Sequence, residues 1–116
     1  MKQDISITTD AVIFAEEKEG LYVLLIKRKN EPYQGQWALP GGFLEEDELL
    51  ETGCLRELQE ETQIEAPLEE IVYVKTIQNP SCTLNVYAYK APTLVTPQLD
   101  YEHTEYGWFA ISSLDF

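Results

Sequence analysis

Residues 47–63 carry the one clear helical period in the chain, and strand-like stretches flank it on both sides. Leu50, Cys54 and Leu58 recur every four residues, with Leu55 widening the stripe. Asp47 is placed to cap this helix, and the acidic residues between 45 and 51 sit where the positive end of the dipole welcomes them. Upstream, residues 5–15 alternate in part as a strand, "EEKEG" (16–20) makes a turn, and "LYVLLIKRK" (21–29) is apolar on both faces up to Ile26. Such two-sided apolarity suits a central strand. Downstream, residues 70–77 and 82–90 read as strands joined by the Asn-Pro turn of "QNPS", and "EYGWFAI" (105–111) as a last strand. Strands, one helix, then strands predict a mixed α/β layer fold. A length of 116 residues suits one domain with one core, and no repeat or linker divides it.

Charge narrows the function. Asp and Glu outnumber Lys and Arg 21 to 8, for a net charge of −13. That balance argues against a nucleic-acid surface, which needs a basic footprint. An acidic chain that handles phosphates needs cations to mask the repulsion, and this one offers carboxylates to hold them. The opening "MKQDISITTD" contains Asp4 and Asp10 and no long apolar run, so it reads neither as a secretory signal nor as a membrane span. Cys54 and Cys82 lack metal-ligand spacing, and two free thiols fit a reducing cytoplasm.

The sharpest question lies in "RELQEETQI" (56–64), where Glu57, Glu60 and Glu61 crowd the C-terminal end of the helix. Like charges three and four residues apart repel by a few tenths of a kcal/mol per pair. The helix dipole disfavours anions at that end by a similar amount. Relative to Leu58, Glu57 lies about 100° and Glu61 about 60° around the axis, on the same side, so both flank the buried stripe. They are expected to line a groove edge. A divalent cation would turn their repulsion into coordination, and hard ions such as Mg²⁺ or Mn²⁺ favour oxygen-rich cages.

From Gly42 to Ile64 the chain resembles the Nudix box. Gly42, Glu48, Arg56, Glu57, Leu58, Glu60, Glu61 and Ile64 fall on eight of the nine fixed positions, and Gln63 stands where the family has glycine. That glycine ends the helix in a left-handed conformation, so glutamine there either costs on the order of 1 kcal/mol or ends the helix differently. The resemblance implies an α/β/α sandwich, a mixed sheet packed between helices, with the C-terminal helix short or absent. It implies Mg²⁺ or Mn²⁺ held by Glu57, Glu60, Glu61 and the Gly41 carbonyl. Arg56 would orient the glutamates, and Glu48 is either a supporting group or a plain first-turn acid.

For the general base the same resemblance leaves a box glutamate, Glu102 and Glu105 open, the last two in "DYEHTEYGW". His103, a lone loop histidine, is expected to be exposed and idle. Arg28 and Lys29, with Lys27, are candidates to contact phosphates, or else form a charged strand end. Tyr33 and Trp37 are candidates to stack on a base or ribose, although Trp37 can also be packing. This upstream loop looks like that of ADP-ribose pyrophosphatases and of related sensors of that nucleotide. The implied activity is cleavage of the pyrophosphate bond in a nucleoside diphosphate linked to another moiety, ADP-ribose-like compounds first. Alternatives are hydrolysis of nucleoside triphosphates or diadenosine polyphosphates, and a non-catalytic ADP-ribose-sensing module. The expected partners are a small nucleotide and, as in many relatives, a second copy of the chain, with no membrane and no stable nucleic acid.

Overall fold

A computed structural model describes residues 6–114. Asp4, the expected strand start at residue 5 and the chain end at Phe116 lie outside the described residues. Seven strands form one mixed sheet: β1 Ser6–Glu17, β2 Gly20–Arg28, β3 Trp37–Ala38, β4 Gly41–Phe43, β5 Val72–Gln78, β6 Cys82–Lys90 and β7 His103–Ala110. The main path runs β3-β2-β1-β6-β5, with β4 beside β1 and β7 beside β2. β1 and β6 are parallel, and every other pairing is antiparallel. β2 therefore is a central strand, as its two-sided apolarity requires. The β1–β2 turn is tighter than expected: Glu17 pairs with Gly20, and Gly20 takes φ 138, which a side chain would resist.

The helix α1 spans Leu50–Thr62 and is the only α-helix among the described residues. Its stripe packs Cys54 and Leu58, both almost fully buried, against Ala11, Ile13, Leu24 and Tyr87 of the sheet. Burying a leucine such as Leu58 contributes about 1.5–3 kcal/mol. Beyond β7 the described chain forms a short 3₁₀ turn, Ile111–Ser113, which packs on β2. No helix of the described residues is long and apolar enough to cross a membrane.

Two expectations fail at element ends. Asp47 does not cap α1: the cap position is Leu49, with no side-chain bond, and Asp47 adopts φ 63. The carboxylate of Glu48 accepts the Glu45 N–H at 3.0 Å, and the Glu48 N–H reaches the Glu45 carbonyl at 3.2 Å. Residues 45–48 thus close a turn of their own, and the helix begins after it. β7 starts two residues before the predicted strand and contains a bulge. Lys27 pairs with Glu105 while Arg28 pairs with His103, which leaves Thr104 as the extra residue. His103 and Glu105 consequently project to opposite faces. His103 joins the α1 side with Leu24 and Trp108, and Glu105 joins the other side with Lys27.

Candidate active site

Glu61 is the centre of the site. Its side chain is 9 % exposed, and its Oε1 accepts the Gly41 backbone N–H at 2.8 Å. Burial, opposed by that hydrogen bond and reinforced by the charges of Glu57, Asp100 and Glu102, pushes its pKa up to about 8. Glu57 lies on the same side of the helix, as its spacing predicts, and is also held above the usual carboxylate range, chiefly by burial. A Cβ at Gly42 would meet the Glu57 carboxylate at 2.5 Å, so a side chain there would displace that carboxylate. At Gly41 a Cβ would run into Thr9 and Asp10 of β1. Asp10 itself is pushed up to about 6 by burial.

Arg56 organises the acidic face. Its Nε donates to Glu48 Oε2 at 2.8 Å and its Nη2 to Glu48 Oε1 at 3.0 Å, a bidentate pair. The same Nη2 reaches the Phe43 carbonyl at 3.1 Å. Its Nη1 donates to Glu57 Oε1 at 2.9 Å and to Glu60 Oε2 at 3.2 Å. Those bonds, that to Glu48 first, lower the Glu48 pKa and raise that of Arg56. Glu48 is therefore a supporting group that anchors Arg56. Gly53 makes room for it, since a Cβ there would stand 2.9 Å from Glu48 Oε1. Glu60 is more than half exposed and sits at the rim.

The histidine expected to be exposed is buried. His103 is 8 % exposed, its Nδ1 lies 2.7 Å from Asp100 Oδ1, and its Nε2 lies 4.0 Å from Glu61 Oε2. Its burial follows from the bulge at Thr104, a non-local effect with no local sequence signal. Asp100, also missed, had one clue: it stands three residues before the only histidine. Glu102 is exposed, yet its charge acts on both Glu57 and Glu61, so it borders the cluster. Glu105 is paired with Lys27 at 3.1 Å on the opposite face.

The upstream loop divides similarly. Arg28 stands beside His103, and its Nε donates to the Pro32 carbonyl at 2.8 Å, which ties the loop down. Lys29 and Tyr33 are exposed, Tyr33 at 65 %. Trp37 packs edge-on against Phe109, ring centres 4.9 Å apart, beneath the Lys27 ammonium. These three residues occupy the face away from α1.

The donor set fits a divalent cation. Two half-to-fully buried carboxylates with raised pKa values face a glycine strand, and a cation would supply the charge that burial denies them.

Residues 5–116 match the family model described as the NUDIX domain. The chain is 46% identical over 57 residues to the ADP-ribose pyrophosphatase of Methanocaldococcus jannaschii, covering 49% of this chain and 31% of that protein. It is 43% identical over 70 residues to the ADPR responsive transcriptional repressor NtrR of Acinetobacter baylyi, covering 58% of this chain and 28% of the repressor. The chain thus spans less than a third of either curated relative. Among solved structures it resembles the NUDIX domain of Shewanella oneidensis NrtR complexed with ADP ribose, at TM-score 0.82 and 31% identity, over 97% of this chain and 76% of that one. With its mixed sheet, the helix α1 and its carboxylate cluster against β4, the chain belongs to the NUDIX domain family.

Proposed function

We propose that this chain is a divalent-cation-dependent hydrolase that cleaves the pyrophosphate bond of a nucleoside diphosphate linked to another moiety, with ADP-ribose-like compounds as preferred substrates. The observation that carries it is the pairing of buried Glu61 and partly buried Glu57, both with raised carboxyl pKa values, with the side-chain-free backbone of Gly41 and Gly42. Similarity to an ADP-ribose pyrophosphatase and to an ADP-ribose-bound domain supports the substrate class.

Glu57, Glu61 and the Gly41 carbonyl would hold Mg²⁺ or Mn²⁺, with Glu60 contributing from the rim. Bound there, the ion supplies Lewis acidity: it lowers the pKa of the attacking water and offsets leaving-group charge. The chain does the rest. Arg56 fixes the Glu57 and Glu60 side chains, Glu48 fixes Arg56, and Gly42 leaves the substrate's phosphates room to approach. Glu102 takes the proton from the attacking water, because it borders Glu57 and Glu61 whereas Glu105 faces away. Lys29 and Arg28 meet phosphate charge, and Tyr33 offers an aromatic face to the base or ribose, whereas Trp37 packs against Phe109 on the far face. A reducing cytoplasm suits the free thiols of Cys54 and Cys82.

One assay separates this from a second reading, an ADP-ribose-binding module without turnover, which the likeness to the repressor favours. The protein is mixed with Mg²⁺ and ADP-ribose, nucleoside triphosphates or diadenosine tetraphosphate, and the products are quantified. Turnover that is fastest on ADP-ribose and abolished by chelator is expected. Saturable binding of ADP-ribose with no product would establish the sensor instead.

A further inference from the structure

We infer that His103, oriented by Asp100, is a nitrogen ligand to the cation held at Glu61, and that the site therefore prefers imidazole-binding ions such as Mn²⁺ or Co²⁺ over Mg²⁺. The inference shares Glu61 with the proposed hydrolytic site and rests on that site binding a cation. One ligand atom from each of Glu61, Asp100 and His103 lies within 4.8 Å of the others, on two buried residues and one partly buried one.

The histidine geometry points outward from the cluster of acids to a ligand. Asp100 Oδ1, at 2.7 Å, is placed to accept an Nδ1 proton, and in the neutral ring that tautomer puts the lone pair on Nε2. A carboxylate behind a ring nitrogen is the usual support of a metal-bound histidine. Among the described residues Nε2 has no hydrogen-bond partner, and the side chain is 3 % exposed. Its nearest charged neighbour, Glu61 Oε2, is 4.0 Å away, too far for a hydrogen bond. Two atoms that each bind one ion at about 2.1 Å stand roughly 3–4 Å apart, so this separation suits a shared cation. Glu61 Oε1 is occupied by the Gly41 N–H, and Oε2 is the oxygen turned toward the ring. A histidine needed only for packing would not require a carboxylate partner on one nitrogen and a second, buried carboxylate opposite the other.

Imidazole changes which metal is favoured. Mg²⁺ binds oxygen and keeps its waters, whereas imidazole suits later divalent ions. The chain has a single histidine, so any histidine signal at the metal is His103.

The test is pulsed electron paramagnetic resonance on the full chain, produced with ¹⁵N-histidine and a histidine-free tag and loaded with Mn²⁺ alone. A ¹⁵N coupling typical of a directly bound ring nitrogen is expected in the wild type. His103→Gln should abolish it while Mn²⁺ still binds, and should cut the Mn²⁺-over-Mg²⁺ affinity ratio by about tenfold. Mn²⁺ binding that is lost in Glu61→Gln yet shows no histidine coupling overturns the inference and leaves the hydrolase standing. Coupling without nucleotide turnover does the reverse. Absence of Glu61-dependent Mn²⁺ binding sinks both. Should His103→Gln fail to fold, the wild-type spectrum decides alone.

Discussion

The Gly41 N–H donates to Glu61 Oε1 at 2.8 Å, so one carboxylate joins β4 to the last turn of α1. A glutamine at 61 keeps an oxygen for that bond but carries no charge. Glu61→Gln is therefore expected to fold, and to melt close to the wild type at pH 6 without metal. Its turnover should fall by at least about two orders of magnitude, since a cation ligand is lost. Steady-state rates beside a thermal melt check both halves. A folded variant with near-normal turnover would remove Glu61 from the cation site.

Stability should respond to pH in opposite senses at two places. Glu61 is raised from about 4.5 to about 8 and Asp10 from about 3.8 to about 6, in both cases mainly by burial. A raised carboxylate favours the folded state below its unfolded pKa, and that advantage is lost as pH climbs through the folded value. Glu48 is lowered by Arg56, so its contribution is present above the ordinary value and lost in stronger acid. The metal-free protein should melt highest in mild acid and lower by pH 8. Cation binding at Glu61 displaces its proton, so Mn²⁺ affinity should rise about tenfold per pH unit between roughly pH 5 and 8. Calorimetric titrations in buffers of different ionisation enthalpy measure the released proton.

Gly42→Ala probes the close approach of strand and helix. Its Cβ would fall 2.5 Å from the Glu57 carboxylate, so that side chain or the strand must shift. Overpacking of this kind costs about 1–3 kcal/mol, and Mn²⁺ affinity should fall along with urea stability. Unchanged metal affinity would mean that Glu57 moves freely without consequence.

Gln63 is the one departure from the box, and it ends α1 at φ 60, ψ 19, with its N–H bonded to the Gln59 carbonyl. The helix thus keeps the left-handed ending that the family's glycine serves, and glutamine bears the strain. Gln63→Gly should stabilise the protein by about 1 kcal/mol in urea unfolding and leave turnover unchanged. A loss of stability would show that the glutamine side chain contributes more than its backbone costs.

What the sequence made legible was local. The Leu50–Cys54–Leu58 stripe, β2 and the flanking position of Glu57 and Glu61 follow from period alone, and the structure keeps them. The start of α1 was not legible, because the Glu48 side chain is recruited by Arg56 eight residues on and by the Glu45 N–H. Nor was His103. Its face depends on a bulge in the β2–β7 pairing, which joins residues more than seventy positions apart. Trp37 shows the same limit: its contact with Phe109 is made by two strands that both pair with β2.

The two late-loop glutamates stand in different surroundings. Glu102 lies just before β7 and acts on Glu57 and Glu61, while Glu105 is paired with Lys27 on the far face. Glu102→Gln should lower kcat by about 10²–10⁴, the usual contribution of a general base, and leave Mn²⁺ affinity within about tenfold. Glu105→Gln breaks only an exposed ion pair, worth about 0–1 kcal/mol, and turnover should stay within about twofold. If the two variants exchange behaviour, the proton acceptor lies on the other face of the sheet and the assignment to Glu102 is wrong.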